Sequence, residues 1–202
     1  CHPAFSPDGR WVAYYRYVGK QRDVWIVPAA GGPPRQFTDH AAEDLHPAWS
    51  PDGRQLAFAS DREGTHAIWV AAVADGQPAG PAVRLTPAGL PALFPAWSPD
   101  GASVAFVGQR DDRVRAFVIP TAGGPVRELE PDVRPCRLRW CRASGAIWMS
   151  AEWEHGALSV REVPLDGGPA RPLDPPVPLG PAQGNGMFDA DGEGRLVTFS
   201  LS

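Results

Sequence analysis

The sequence of 202 residues is poor in the features that announce chemistry. It has 3 cysteines, an odd count, and Cys136 and Cys141 on one extended stretch would point to opposite faces. Pairing them needs an intervening bend, so the redox compartment stays open. Lys+Arg 19 against Asp+Glu 23 gives a formal net charge of −4, which leaves no electrostatic footprint for nucleic acid. No run of about 18 apolar residues occurs, so no transmembrane helix is expected. There is no Gly-x-Ser-x-Gly nucleophile elbow, no His-Glu-x-x-His metalloprotease helix, no phosphate-cradling loop and no dinucleotide fingerprint. Serines, histidines and aspartates fall in no recognisable catalytic constellation. The expectation is a chain with no catalysis and no cofactor of its own.

What is present is a repeat. The composition is 43% hydrophobic and 21% charged, enough for a core, and Gly 22 and Pro 24 fall at periodic turn positions rather than in a low-complexity tract. Ala48-Trp49-Ser50-Pro51-Asp52-Gly53-Arg54-Gln55-Leu56-Ala57-Phe58 recurs as Ala4-Phe5-Ser6-Pro7-Asp8-Gly9 through Tyr14, and as Ala96-Trp97-Ser98-Pro99-Asp100-Gly101 through Phe106. The turn glycines lie 44 and then 48 residues apart, a period that signals a repeat architecture. Proline suits the first central position of a type I turn, aspartate the next, and glycine the left-handed residue that follows, so Ser-Pro-Asp-Gly closes a β-hairpin.

Each unit reads as a four-stranded meander, with units at about 1–40, 45–87, 93–130 and 135–174. A half unit of two strands follows at 186–202. The fourth unit is degenerate, its first turn reading Cys141-Arg142-Ala143-Ser144-Gly145. In the second strands Val12/Tyr14, Leu56/Phe58, Val104/Phe106 and Val197/Phe199 share one face, with Ala13, Ala57, Ala105 and Thr198 on the other. Two non-polar faces mean burial on both sides. A bulky face opposite a small one suits sheets stacked like slices, the arrangement of a β-propeller. A sandwich would show one polar face per strand. The expected fold is therefore all-β, a β-propeller of four-stranded antiparallel blades.

The motifs from His46 through Phe58, with Ile68-Trp69-Val70 and Arg84-Leu85-Thr86, resemble the TolB-like (WD40-like) propeller repeat. The resemblance covers the first three units well, the fourth loosely and the fifth for half its length. It implies a ring of six or seven blades, of which about four and a half are here. It also implies a protein or peptide partner and periplasmic or otherwise extracytoplasmic residence. The same repeat occurs in the gating propellers of prolyl oligopeptidase-type serine hydrolases, which is the alternative. The chain starts at Cys1 directly on a repeat. The expectation is a piece of a longer protein, its ring completed by missing parent sequence or another chain, rather than a lipidated mature terminus.

Loops between strands two and three and between blades are expected to share one face of the disc, longer and more charged than the tight turns opposite. That face and the channel mouth supply the candidate binding residues His2, His46, Arg62, His66, Arg110, Asp112, Trp153 and His155. His2 and His46 occupy one repeat position, which Phe94 takes in the third unit. The His40…Glu43…His46 spacing invites a metal reading, but it lies in a blade-to-blade loop without a nearby cysteine. Asp189, Asp191 and Glu193 resemble the start of a calcium loop. Ser200 stands where such a loop wants glutamate, and the segment is equally a longer form of the repeat turn. No metal is expected.

Overall fold

The Ser-Pro-Asp-Gly turn is a closed hydrogen-bond circuit. In the computed structural model Ser6, Ser50 and Ser98 each donate Oγ–H to Oδ1 of Asp8, Asp52 and Asp100, at 2.5, 2.6 and 2.6 Å. The same Oδ1 accepts the backbone N–H of Arg10, Arg54 or Ala102, and the serine Oγ accepts that of Trp11, Gln55 or Ser103. These bonds, the serine's first, hold all three aspartates below the ordinary carboxylate range. Gly9, Gly53 and Gly101 follow at φ 70°, 70° and 72°, a region that costs any residue with a Cβ.

The structure describes residues 3–130, 132–141, 144–153, 158–173, 187–190 and 196–199. Blade one is β1 (Ala4–Phe5), β2 (Trp11–Val18), β3 (Gln21–Pro28) and β4 (Arg35–Gln36). Blade two is β5 (Asp44–Trp49), β6 (Gln55–Ser60), β7 (Ala67–Ala74) and two short outer pieces, β8 (Gln77–Pro78) and β9 (Val83–Arg84), both paired with β7. Blade three is β10 (Ala92–Trp97), β11 (Ser103–Arg110), β12 (Arg113–Pro120) and β13 (Arg127–Leu129). Blade four is β14 (Arg134–Trp140), β15 (Ile147–Glu152), β16 (Leu158–Val163) and β17 (Arg171–Pro172). A two-stranded sheet, β18 (Met187–Ala190) with β19 (Leu196–Phe199), ends the order. Pairing is antiparallel, and it is sequential within each blade except that β9 also pairs with β7.

The blades stack as the bulky and small faces require. Ala13, Val24 and Ile26 of blade one pack against Trp49, Leu56, Phe58 and Trp69 of blade two. Ala57, Ala59 and Ile68 of blade two meet Val104, Phe106 and Phe117 of blade three. Ala105, Val107 and Val118 of blade three meet Ile147 and Met149 of blade four. Leu56, Phe58, Val104 and Phe106 are all fully buried. Each such side chain contributes about 1.5–3 kcal/mol through burial.

A tryptophan staples each interface. Trp49 donates its Nε1–H to the Ala4 carbonyl at 3.1 Å, Trp97 to Ala48 at 3.0 Å and Trp140 to Ala96 at 2.9 Å. The repeat's closing threonine has a similar use. Thr38 and Thr86 Oγ1 accept the backbone N–H of Val24 and Ile68, both at 3.0 Å, and tie the outer edge to the third strand.

The loops between strands two and three are shorter than the sequence suggested in two blades. Val18 pairs with Gln21, leaving only Gly19 and Lys20 as the turn, and Arg110 pairs with Arg113 around Asp111 and Asp112. Asp111 and Asp112 sit at φ 50° and 57°, the backbone of a tight hairpin turn. Backbone pairing carries these strands through polar residues that read as loop. Blade two keeps a true loop, Asp61 to His66, between Ser60 and Ala67.

Candidate functional site

The inner strands break register at the same repeat position in blades two and three and one residue earlier in blade four, where Arg137 stays paired with Ser150. The pairing of β5 shifts between Leu45 and Ala48, that of β10 between Leu93 and Ala96, and that of β14 between Pro135 and Arg137. His46 and Phe94 sit in these bulges at φ 53° and 56°, each followed by a proline. Left-handed backbone on a non-glycine residue costs about 1–3 kcal/mol and concentrates at functional sites. Bulges re-aim side chains.

Here they aim them at one another. The His46 and Phe94 rings lie 4.0 Å apart between centroids, and Tyr15 meets His46 edge-on at 5.6 Å. The guanidinium of Arg137 sits over Phe94 at 4.5 Å. Aligned on the staple tryptophans, His46, Phe94 and Arg137 hold the same position in blades two, three and four. Sequence reasoning found His46 and Phe94 but missed Arg137. Setting Arg137-Leu138-Arg139-Trp140 against Phe94-Pro95-Ala96-Trp97 would have found it.

These strands line a channel cleft of about 380 Å³. Its walls are the repeat prolines, among them Pro47, Pro51, Pro95 and Pro99, and the tryptophans Trp49, Trp97 and Trp140. Its charged lining is Arg137 and Arg139, with His46 beside them and no carboxylate among the described lining residues. A larger groove of about 790 Å³ opens among the loops, lined by Gly64 to His66, Pro91 to Phe94, Arg134 to Cys136 and Glu152. Phe94 belongs to both cavities. The His66 Nε2 atom is buried there without a hydrogen-bond partner, while its carbonyl accepts the Ala92 N–H at 2.8 Å. Burial pushes the Cys136 thiol up, and the Glu152 carboxylate adds to the effect.

The other expected residues are engaged in holding blades. Arg62 binds the fully buried Asp44 at 3.2 Å and Ser60 at 2.9 Å, and lies over Trp69 at 4.7 Å. Arg110 pairs with Glu128 at 2.9 Å and covers Phe117 at 4.7 Å. Trp153 is buried, donates to the Ser159 carbonyl at 2.9 Å and carries Arg161 over its ring at 4.7 Å. Asp112 is a turn residue. His2, His155, Asp191 and Glu193 lie outside the described residues, as do the side-chain surroundings of Asp189. His40, Glu43 and His46 do not converge: His40 is exposed, Glu43 pairs with Arg22, and His46 stacks on Phe94. Among the described residues no group of three or more His, Cys, Asp or Glu could hold a metal ion.

Residues 1–115 match the family model PD40, the TolB beta propeller domain. The chain belongs to this family. A TolB-type protein from Agrobacterium tumefaciens is similar in structure, with 28% identity and a TM-score of 0.57, over 63% of this chain and 49% of that one. TolB from Acinetobacter baumannii shares 19% identity at a TM-score of 0.65, over 84% of this chain and 44% of its own. A puromycin-hydrolyzing peptidase from Mycobacterium tuberculosis matches 97% of this chain and 33% of its own, at 18% identity and a TM-score of 0.65. The TolB-like chain thus spans about half the length, or less, of these structures. Among curated proteins nothing matches the sequence.

Proposed function

We propose that the chain is a binding propeller that takes an extended segment of a protein or peptide partner in its channel and catalyses no reaction of its own. The channel cleft carries this reading. Prolines and tryptophans at fixed repeat positions build rigid apolar walls, strained His46 and Phe94 project side chains at its mouth, and two arginines supply polar contacts. Rigid concave sites with a few placed polar groups are what ligands use. The test is an array of overlapping peptides from the proteome of the source cell, probed with the wild-type chain. Ala48→Trp, which fills the channel, is expected to abolish the peptide signals, while Glu63→Gln on the outer loop leaves them intact. Equal signals from Ala48→Trp and wild type would overturn the channel reading.

The proposal extends to assembly and place. Among the described residues no sheet covers the bulky face of blade one, with Phe5 67% exposed and Val12, Tyr14 and Trp25 only half-buried, so a further blade from parent sequence or another chain is proposed to complete the ring. Extracytoplasmic residence is proposed from the family alone, and cell fractionation tests it. A second reading is favoured by the peptidase likeness, which covers 97% of this chain, beyond the 1–115 of the family match. On that reading the chain is the substrate gate of a serine hydrolase. A nucleophile elbow encoded downstream, with peptide hydrolysis by the full-length protein, would establish it.

A further inference from the structure

The hairpin of blade three runs further than that of blade two. The last rung in blade two is Ser60 with Ala67. Its counterpart in blade three is Gly108 with Arg115, and two further rungs follow, Gln109 with Val114 and Arg110 with Arg113. Side chains on those extra rungs extend past the packed faces between blades, and Val114 is 36% exposed. The loop-face groove of about 790 Å³ lies along this hairpin, a size usual for ligand sites.

The groove floor is fixed by backbone. Gln109 donates its N–H to the Pro91 carbonyl at 3.0 Å, and Ala92 donates to the His66 carbonyl at 2.8 Å, which ties the start of the inner strand to its own hairpin and to blade two. Gly108 permits the approach. A Cβ there would lie 2.8 Å from the Pro91 carbonyl oxygen and 3.0 Å from the Phe117 ring. The walls are apolar, with Leu93, Phe94, Val107, Val114 and Pro135. Between them stand polar groups of both kinds. Thr65, Gln109 and Arg134 can donate, while Gln109 and Glu152 can accept. Arg134 and Glu152 face each other across one rung, and neither joins an ion pair among the described residues. His66 Nε2 is buried in the same groove with no hydrogen-bond partner. Buried polar atoms are nearly always paired, so an orphan marks a place where a partner belongs. Donors and acceptors mixed between apolar walls suit the alternating N–H and C=O of a peptide carrying an apolar side chain, and not a ligand of a single charge.

Phe94 decides where that peptide comes from. It borders the groove on one side and the channel cleft on the other, held there by its bulge backbone at φ 56°. We propose that groove and channel form one continuous track: the extended segment held in the channel passes over Phe94 and seats an apolar side chain among Leu93, Val107 and Val114. This rests on the peptide-binding reading and adds a second subsite and the kind of side chain it selects.

The test takes the peptides captured by the wild-type chain on the proteome array and replaces each of their apolar residues in turn with photo-leucine. Cross-links to the full chain are mapped by mass spectrometry. One peptide position is expected to label residues 107–114, and another position of the same peptide the channel segments 47–51 or 95–99. Fluorescence anisotropy with fluorescein-labelled copies then measures affinity. Replacing the groove-labelling residue of the peptide with aspartate should weaken binding to wild type at least about tenfold. Val114→Trp, which fills the groove, should weaken the unaltered peptide about tenfold and make the aspartate replacement nearly silent. Gln109→Trp, across the same rung, gives a second reading, and thermal melts check that both variants fold. Glu63→Gln should change neither affinity. Cross-links confined to the channel, or wild-type affinity in both tryptophan variants, would overturn the track and leave the channel reading standing. Cross-links confined to the groove, or no captured peptide at all, would overturn both.

Discussion

Blade one and blade three present the same face to opposite circumstances. Val12, Tyr14 and Trp25 in one correspond to Val104, Phe106 and Phe117 in the other. The latter three are fully buried beneath Ala57, Ala59 and Ile68, while the former are half-buried and Phe5 beside them is 67% exposed. The side chains are of one kind, so the difference is the neighbour. A bulky propeller face gains its burial from the next sheet, not from its own. The Trp25 and Trp69 indole N–H groups have no hydrogen-bond partner, and each ring is covered by a guanidinium instead, Arg16 at 3.7 Å and Arg62 at 4.7 Å. A stacked arginine shields an aromatic face in blades one and two alike.

The sharpest way to break this comparison is to truncate matched residues. Phe106→Ala should cost about 3–5 kcal/mol in a urea melt, as buried phenylalanines do. Tyr14→Ala should cost less than about 2 kcal/mol, within the range of partly exposed positions. Similar costs would mean that blade one's face is already supported. The staple comes next. Trp97→Phe keeps the ring but leaves the Ala48 carbonyl without its donor, an expected loss of about 1–3 kcal/mol by thermal melt.

The turns act inside each blade and should be indifferent to the neighbour. Gly53→Val forces φ 70° on a β-branched residue and should cost about 1–2 kcal/mol. A melt without loss would remove the turn's role. The smallest effect concerns blade one alone. Asp23 is fully buried, held by Gln21 at 3.3 Å and Gln36 at 3.1 Å, and burial pushes its pKa up. A carboxylate whose folded pKa is raised lowers stability at neutral pH, and that loss fades as pH falls through the raised value. Asp23→Asn should stabilise blade one by about 1 kcal/mol at pH 7, with the gain shrinking on acidification. A constant gain across pH would show that the carboxylate is not the cause.

Much of this was legible in the letters, because local chemistry wrote them. Ser-Pro-Asp-Gly encodes its turn through the serine, the aspartate and the left-handed glycine. The alternation of Leu56, Ala57 and Phe58 encodes two buried faces of unequal size. Other features were hidden for physical reasons. Val18 to Arg22 reads as a polar loop, yet backbone pairing runs to Gln21, since strand length is set by hydrogen bonds as well as by side chains. Arg62 and Arg110 look like solvated loop charges. They are cations laid over Trp69 and Phe117, a loop-to-strand contact and a strand-to-strand contact that no spacing announces. Arg137 hid because its strand lost the proline that marks the position in the other three units.

The most direct test of the stacking account is to lay a second sheet against the half-buried face of blade one. Residues 45–92 would be fused a second time ahead of Pro3, so that a second copy of Ala57, Ala59 and Ile68 faces Val12, Tyr14 and Trp25. Tyr14→Ala would then be measured in the fused and unfused chains. The account predicts that its cost rises to the about 3–5 kcal/mol of a covered face. A cost that stays below about 2 kcal/mol in both chains would contradict it.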